Sequence, residues 1–127
     1  MNWKKYAPYF SEKEFRCKHT GLCFMNEEFM DKLLALRLEY GSAMTITSGY
    51  RDTSHPAEAG KSESGAHTTG RACDVAVSHG EAWRLMGLSF KHGFTGVGVQ
   101  QKGDGRFVHL DDIQASPTQP RPTVWSY

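Results

Sequence analysis

The sequence predicts an α+β domain: a small antiparallel sheet with helices packed on it. Three observations predict it. Phe29, Leu33, Leu36 and Tyr40 recur at helical spacing, and Met30 and Leu34 widen the stripe, as on the buried face of one helix. Short apolar runs at 43–48, 73–77, 97–100 and 107–110 have the length and alternation of strands. Helical and strand-like stretches do not alternate strictly, so helices segregated against an antiparallel sheet are expected.

The chain has 127 residues, which fits a single domain over 1–127 with one hydrophobic core. Charges nearly balance, with 15 Lys+Arg against 14 Asp+Glu. No basic stripe or acidic tail appears, which argues against nucleic acid and a membrane surface as partners. A monomer is expected. Met1-Asn-Trp-Lys-Lys lacks the apolar core of a secretory signal, and no apolar run approaches the ~20 residues of a membrane helix. The expectation is synthesis in the cytoplasm, with another agent exporting the protein if its substrate lies outside.

In chain order, Ser11-Glu-Lys-Glu14 has capping-box spacing and predicts a short helix. An irregular Cys/Gly loop follows over 16–25. Asn26 is a natural N-cap, Glu27 and Glu28 suit the positive helix start, and Gly41 suits its stop. Ala43–Ser48 predicts a strand, with Gly49-Tyr50-Arg51 at its end. Residues 52–66 predict a loop, long enough to suggest that it shapes a site. His55 within it reads as solvated. Cys73–Val77 predicts a second strand.

Ser78-His-Gly-Glu81 offers a second capping box. The helix it predicts carries Ala82, Leu85, Met86 and Ser89 on one side and ends by Gly93. His79 and His92 at its two ends read as structural or solvated. Val97–Gln100 and Phe107–Leu110, joined by a polar loop, predict a hairpin. The tail from Ser116 to Tyr127 holds three prolines and is expected to be extended. Trp125 is expected to pack on the body or to line a groove.

Three cysteines do not make a disulfide framework. Cys17 and Cys23 leave three readings: a bridge, a second metal shared with His19, or reduced thiols. The missing export signal favours reduced thiols. Cys73 alternates with Asp74 and is expected to point into the core.

The chemistry concentrates in His67-Thr-Thr-Gly70-Arg-Ala72-Cys-Asp74. An imidazole and a carboxylate flank a glycine-bearing turn, and both are good zinc ligands. A catalytic zinc takes three protein groups and keeps one position open. The best third ligand is His109, in Arg106-Phe-Val-His-Leu-Asp111. If Asp74 ends or opens a strand adjacent to that of His109, the two strands can present them side by side, and the loop can bring His67 over them. Such a site suits a zinc-activated water, with a carboxylate moving the proton.

Asp111 shares the strand face of His109 and has two possible roles, catalytic base or orienting partner of the histidine. Asp104, in the preceding loop, and Asp112 are alternatives as base. Arg51 is placed to bind a carboxylate through two parallel hydrogen bonds. Other templates fail. Gly60-Lys-Ser62-Glu-Ser64 misses a nucleophile elbow at its last position. Gly96 and Gly98 have no third glycine at dinucleotide-binding offset, and no H-E-x-x-H or P-loop occurs.

Three ordered motifs carry a resemblance. Ser48-Gly-Tyr-Arg51, H-x-x-G-x-A-x-D at 67–74 and F-V-H-L-D at 107–111 resemble the zinc D-Ala-D-Ala carboxypeptidase family. That family includes peptidoglycan-cutting phage endolysins, and the hedgehog domain is its structural cousin. Tyr9-Phe-Ser-x-x-Glu-Phe-x-Cys17 and Arg121-Pro-Thr-Val-Trp-Ser-Tyr127 resemble its small phage and prophage members.

The resemblance implies zinc on His67, Asp74 and His109, with Arg51 holding a substrate carboxylate or carbonyl. It implies hydrolysis of a peptide bond in peptidoglycan stem or cross-link peptides, at the cell wall, after holin-type release or from a virion. The sequence departs from the family pattern twice. The serine found two residues before the first histidine is replaced by Gly65, leaving Ser64 as the nearest serine for substrate binding. The acidic base three residues before the last histidine is replaced by Arg106. The base is then expected to be Asp111 or Asp104. The rival expectation is a non-catalytic cell-wall or virion module with a closed, four-ligand zinc site. A hedgehog-like regulatory domain is a third.

Overall fold

The computed structural model describes residues 1–61 and 65–127. Helix α1 (Glu12–Phe15) starts at the expected capping box: the Glu14 carboxylate accepts from the Ser11 backbone N–H at 3.1 Å. Helix α2 (Glu27–Tyr40) is capped by Asn26, whose side chain accepts from the Phe29 N–H at 3.0 Å. It stops at Gly41, with φ of 76°. Its stripe Phe29, Met30, Leu33, Leu36 and Tyr40 is buried. Helix α3 (His79–Lys91) buries Ala82, Leu85 and Ser89. Its expected capping box does not form. Glu81 instead accepts from the Tyr40 hydroxyl at 2.7 Å and from Arg84. A tertiary partner on α2 takes the carboxylate that a local cap would have used.

Five strands form one sheet: β1 (Ile46–Ser48), β2 (Ala72–Val75), β3 (Gly96–Gln100), β4 (Phe107–Asp111) and β5 (Thr123–Ser126). Their order is β1-β2-β4-β3-β5. The first four pair antiparallel, including the expected β3–β4 hairpin. The expected antiparallel sheet gains one parallel edge, where β5, in the tail expected to be extended, pairs with β3. The reason is the route of the chain. After β4 it crosses to the outer side of β3 at the end where β3 begins, so it can only run alongside in the same direction.

Facing residues on neighbouring strands share a sheet face. One rung therefore crosses the sheet through Ser48, Asp74, His109, Gly98 and Trp125. The other face carries Cys73, Val75, Val97, Val108 and Leu110, which join the α2 and α3 stripes in the core. Cys73 points into that core, as expected. All three cysteines are free thiols. No helix among the described residues is long and apolar enough to cross a membrane.

Candidate metal centre

His67, Asp74 and His109 meet on the rung face. His109 Nδ1 lies 3.1 Å from Asp74 Oδ1, His67 Nε2 lies 3.3 Å from the same oxygen, and the two ring nitrogens are 3.3 Å apart. All three side chains are buried. Asp74 and His109 arrive by strand register. His67 arrives on a 3-10 turn (Ala66–Thr69) that ends at Gly70. Gly70 has φ of 73°, and a Cβ there would collide with the Phe24 carbonyl. Only glycine fits a left-handed turn pressed against another backbone.

The second nitrogen of each ring decides what the trio can hold. His67 Nδ1 lies 2.8 Å from the Gly49 carbonyl, which only accepts, so the proton sits there and Nε2 presents a lone pair. His109 Nε2 lies 2.7 Å from Asp111 Oδ2, which places its proton there and a lone pair on Nδ1. Two nitrogen lone pairs and a carboxylate oxygen thus converge within 3.3 Å. Three acceptors in van der Waals contact repel unless a cation lies between them. A divalent metal fits, and two imidazoles with one carboxylate are a zinc donor set. Their ligand atoms all lie within 4.8 Å of one another.

The electrostatics agree. Burial alone would push Asp74 up, but the His109 and His67 rings beside it hold it far below the usual carboxylate range. Burial pulls His109 down, yet the carboxylates of Asp111 and Asp74 raise it overall. Protons and a divalent cation compete for such ligand atoms.

These residues open onto a cavity of about 520 Å³. Arg51 lines it and is 26% exposed. Its guanidinium stands 3.8 Å from Asp74 Oδ2 and 3.9 Å from Glu58 Oε2, beyond hydrogen-bond length. Phe107, Trp125 and Tyr127 form an aromatic wall, and the Trp125 ring lies 5.0 Å from that of His109. Trp125 is thus in the groove that the sequence left as one of two options.

Asp111 is fully buried beside His109, on the side away from the other ligands. Oδ2 accepts from His109 Nε2 and Arg121 Nη2, and Oδ1 from Arg121 Nε and the Ile113 N–H. All four lone-pair positions are filled. Of its two expected roles, these are the bonds of the orienting one. Asp104 is exposed in the β3–β4 loop and does not line the cavity. Asp112 is bound by Arg71 and Lys32. Arg106 donates to the Gly103 carbonyl and faces a different hollow. Ser64 lies outside the described residues.

Sequence reasoning missed Glu58, Arg121 and the glycine pair of β3. Glu58 sits in a stretch expected to be loop, yet it is 5% exposed and lines the cavity. Arg121 opens the tail stretch that resembles small phage and prophage members, but that resemblance gives it no role. A Cβ at Gly96 would strike the Asp111 carboxylate, and one at Gly98 would lie 2.6 Å from the Trp125 ring. The G-x-G that fails as a nucleotide motif is a flat floor for those two side chains. That alternation was the signal that could have been read.

The family model for Peptidase M15 matches residues 8–111. The chain belongs to the M15 peptidase family. The match covers all three metal ligands and most of the chain, and with the buried triad it makes the protein a zinc-dependent hydrolase acting on peptidoglycan peptides. The matched segment ends before Arg121, Trp125 and Tyr127, which complete the cavity of this M15 member. No curated protein matches the chain.

Proposed function

We propose that the protein hydrolyses a peptide bond next to a D-amino acid in peptidoglycan stem or cross-link peptides, as a D-Ala-D-Ala carboxypeptidase or an endopeptidase. One observation carries this reading. Beside the three-ligand site, among the described residues, Arg51 donates no side-chain hydrogen bond while its guanidinium faces the cavity. A planar cation with free donors next to a metal suits a substrate carboxylate, held by paired hydrogen bonds. That favours a substrate ending near the scissile bond.

His67, Asp74 and His109 would hold zinc, which when bound would supply Lewis acidity and a lowered water pKa. The protein supplies the rest. Arg51 orients the substrate. Asp111, itself held by Arg121, fixes the tautomer and tilt of His109. Phe107, Trp125 and Tyr127 give one side of the cavity an aromatic surface.

The non-catalytic module needs a fourth protein ligand. Among the described residues three groups converge, and the Asp111 carboxylate is bound to the far nitrogen of His109. That supports the catalytic reading. The ends of the chain, similar to small phage and prophage members, support a phage or prophage enzyme. Such an enzyme works as a monomer and reaches the wall through holin-type release or from a virion.

The test is digestion of muropeptides by zinc-loaded and chelated protein in parallel, read by mass spectrometry. A zinc-dependent loss of one terminal residue supports carboxypeptidase action, and resolved cross-links support endopeptidase action. Stoichiometric zinc with no product from any wall type would replace this reading with the binding module.

A further inference from the structure

Glu58 has no part in the chemistry described so far, yet it is among the most buried carboxylates of the chain. Its side chain is 2% exposed. Oε1 accepts from the Gly65 N–H at 2.7 Å, and Oε2 lies 3.1 Å from Lys61 Nζ and 3.9 Å from Arg51 Nη1. Burial pushes its pKa up, but the Gly65 N–H, Lys61 and Arg51 outweigh burial and leave it below the ordinary value. The carboxylate is therefore charged at neutral pH.

Its two oxygens touch two parts of the site. One oxygen closes the turn that leads through Gly65 to His67. The other draws Arg51 toward the cavity wall. Gly65 is where the family pattern has a serine, and the structure gives a reason for the change. A Cβ at residue 65 would lie 2.8 Å from Glu58 Oε1. A serine there would crowd the Glu58 carboxylate and shift it.

We propose that Glu58 is a positioning residue: it holds the Arg51 guanidinium at the cavity by charge and the Gly65–His67 turn by a hydrogen bond, keeping substrate anchor and metal ligand in register. This inference rests on the peptidase reading. Arg51 sits between two carboxylates at 3.8 and 3.9 Å and is bonded to neither. It is held in place while its side chain donates no hydrogen bond among the described residues. Gly65 and Lys61 take one acceptor position on each of the Glu58 oxygens, so the split between kcat and KM separates positioning from proton transfer.

The test uses Glu58→Gln, which keeps an oxygen for the Gly65 N–H and removes the charge, and Glu58→Asp, which keeps the charge on a shorter arm. Both are measured as zinc-loaded full chain on a synthetic stem peptide with a free C-terminal carboxylate. Glu58→Gln is expected to bind zinc at wild-type stoichiometry and to lose roughly tenfold in kcat/KM, mostly through KM, as for lost ground-state binding. In an Arg51→Lys background the same change is expected to cost less than about twofold, because coupled residues are not additive. Glu58→Asp is expected to recover part of the loss.

An equal loss in both backgrounds would overturn the proposal. So would a large fall in kcat at unchanged KM, which would make Glu58 a proton carrier. If the wild-type protein cleaves nothing, the peptidase reading fails on its own, and the Arg51 Nε–Hε resonance still tests Glu58. A moved or broadened signal in Glu58→Gln supports the contact, and an unchanged one rejects it.

Discussion

Asp111 Oδ2 lies 2.7 Å from His109 Nε2, and Arg121 grips the same carboxylate from the other side at 2.8 and 2.9 Å. The β4 histidine is thus oriented by a residue of the C-terminal tail, through a carboxylate buried between them. Asp111→Asn is expected to weaken zinc binding by about 10- to 100-fold, the usual effect of losing such an orienting partner. Competition with a chromophoric chelator measures it. Wild-type affinity in this variant would mean that His109 is held by packing alone.

Arg121→Met breaks the same arrangement from outside. Asp111 is fully buried, so it is left as an uncompensated charge, and removing one partner of a buried pair costs about 3–5 kcal/mol. Urea denaturation of the zinc-free protein reads this without the metal. A loss below about 1 kcal/mol would show the pair to be solvated.

Gly98→Ala places a methyl 2.6 Å from the Trp125 ring. The indole must move, and overpacking of this kind costs about 1–3 kcal/mol. Tryptophan emission and the denaturation midpoint are expected to shift together. Gly87, exposed in α3 with nothing within 4 Å of its Cβ position, is the control. Gly87→Ala is expected to stabilise by up to ~1 kcal/mol through helix propensity.

Chelation is expected to lower Tm, because a ligand that binds only the folded state stabilises it by mass action. His67→Ala is expected to show a Tm indifferent to zinc and no muropeptide cleavage. Calorimetry with and without zinc, on both proteins, checks this. Acid should weaken loading, since the zinc ligands must shed protons to bind; metal titrations at descending pH will show it.

Two tyrosines predict an alkaline limit to stability. Burial, then the hydrogen bond to Asp31, pushes Tyr6 up to about 12. Burial, then Glu81, does the same to Tyr40. Both are raised above the value of about 10 expected in the unfolded chain. Their stabilising contribution is therefore full below pH ~10 and is lost as pH rises through about 12. Tyr6→Phe should flatten that fall in urea midpoints. An unchanged slope would show that Tyr6 does not titrate with unfolding.

Arg106 holds the position of the family's acidic base but faces away from the cavity. Arg106→Ala is expected to leave kcat/KM within about twofold. A larger loss would place it at the substrate.

Much of this was legible in the residues. The α2 stripe, its Asn26 and Gly41 ends, the β3–β4 hairpin and the inward Cys73 follow from period and local chemistry. So do the three ligands: Asp74 and His109 fall on strands whose alternation can be read, and H-x-x-G-x-A-x-D puts His67 on the turn before the first of them. Local patterns failed where distant groups competed for one side chain. Glu81 had the spacing of a cap and was taken by Tyr40 on another helix. Asp111 had two roles open on its strand face, and its bonds to His109 and to Arg121, ten residues on, are those of the orienting one.

By itself the sequence determined the fold class and the metal ligands, since hydrophobic period and ligand chemistry are properties of short segments. Tertiary structure alone decided the tautomers of His67 and His109, through the Gly49 carbonyl and Asp111. It also decided the parallel edge strand that brings Trp125 over Gly98 and the burial of Glu58 beside Arg51. Each of these depends on which distant backbone or charge arrives next to a side chain. Only the closed fold settles that, because a buried polar group takes the partner that desolvation leaves within reach.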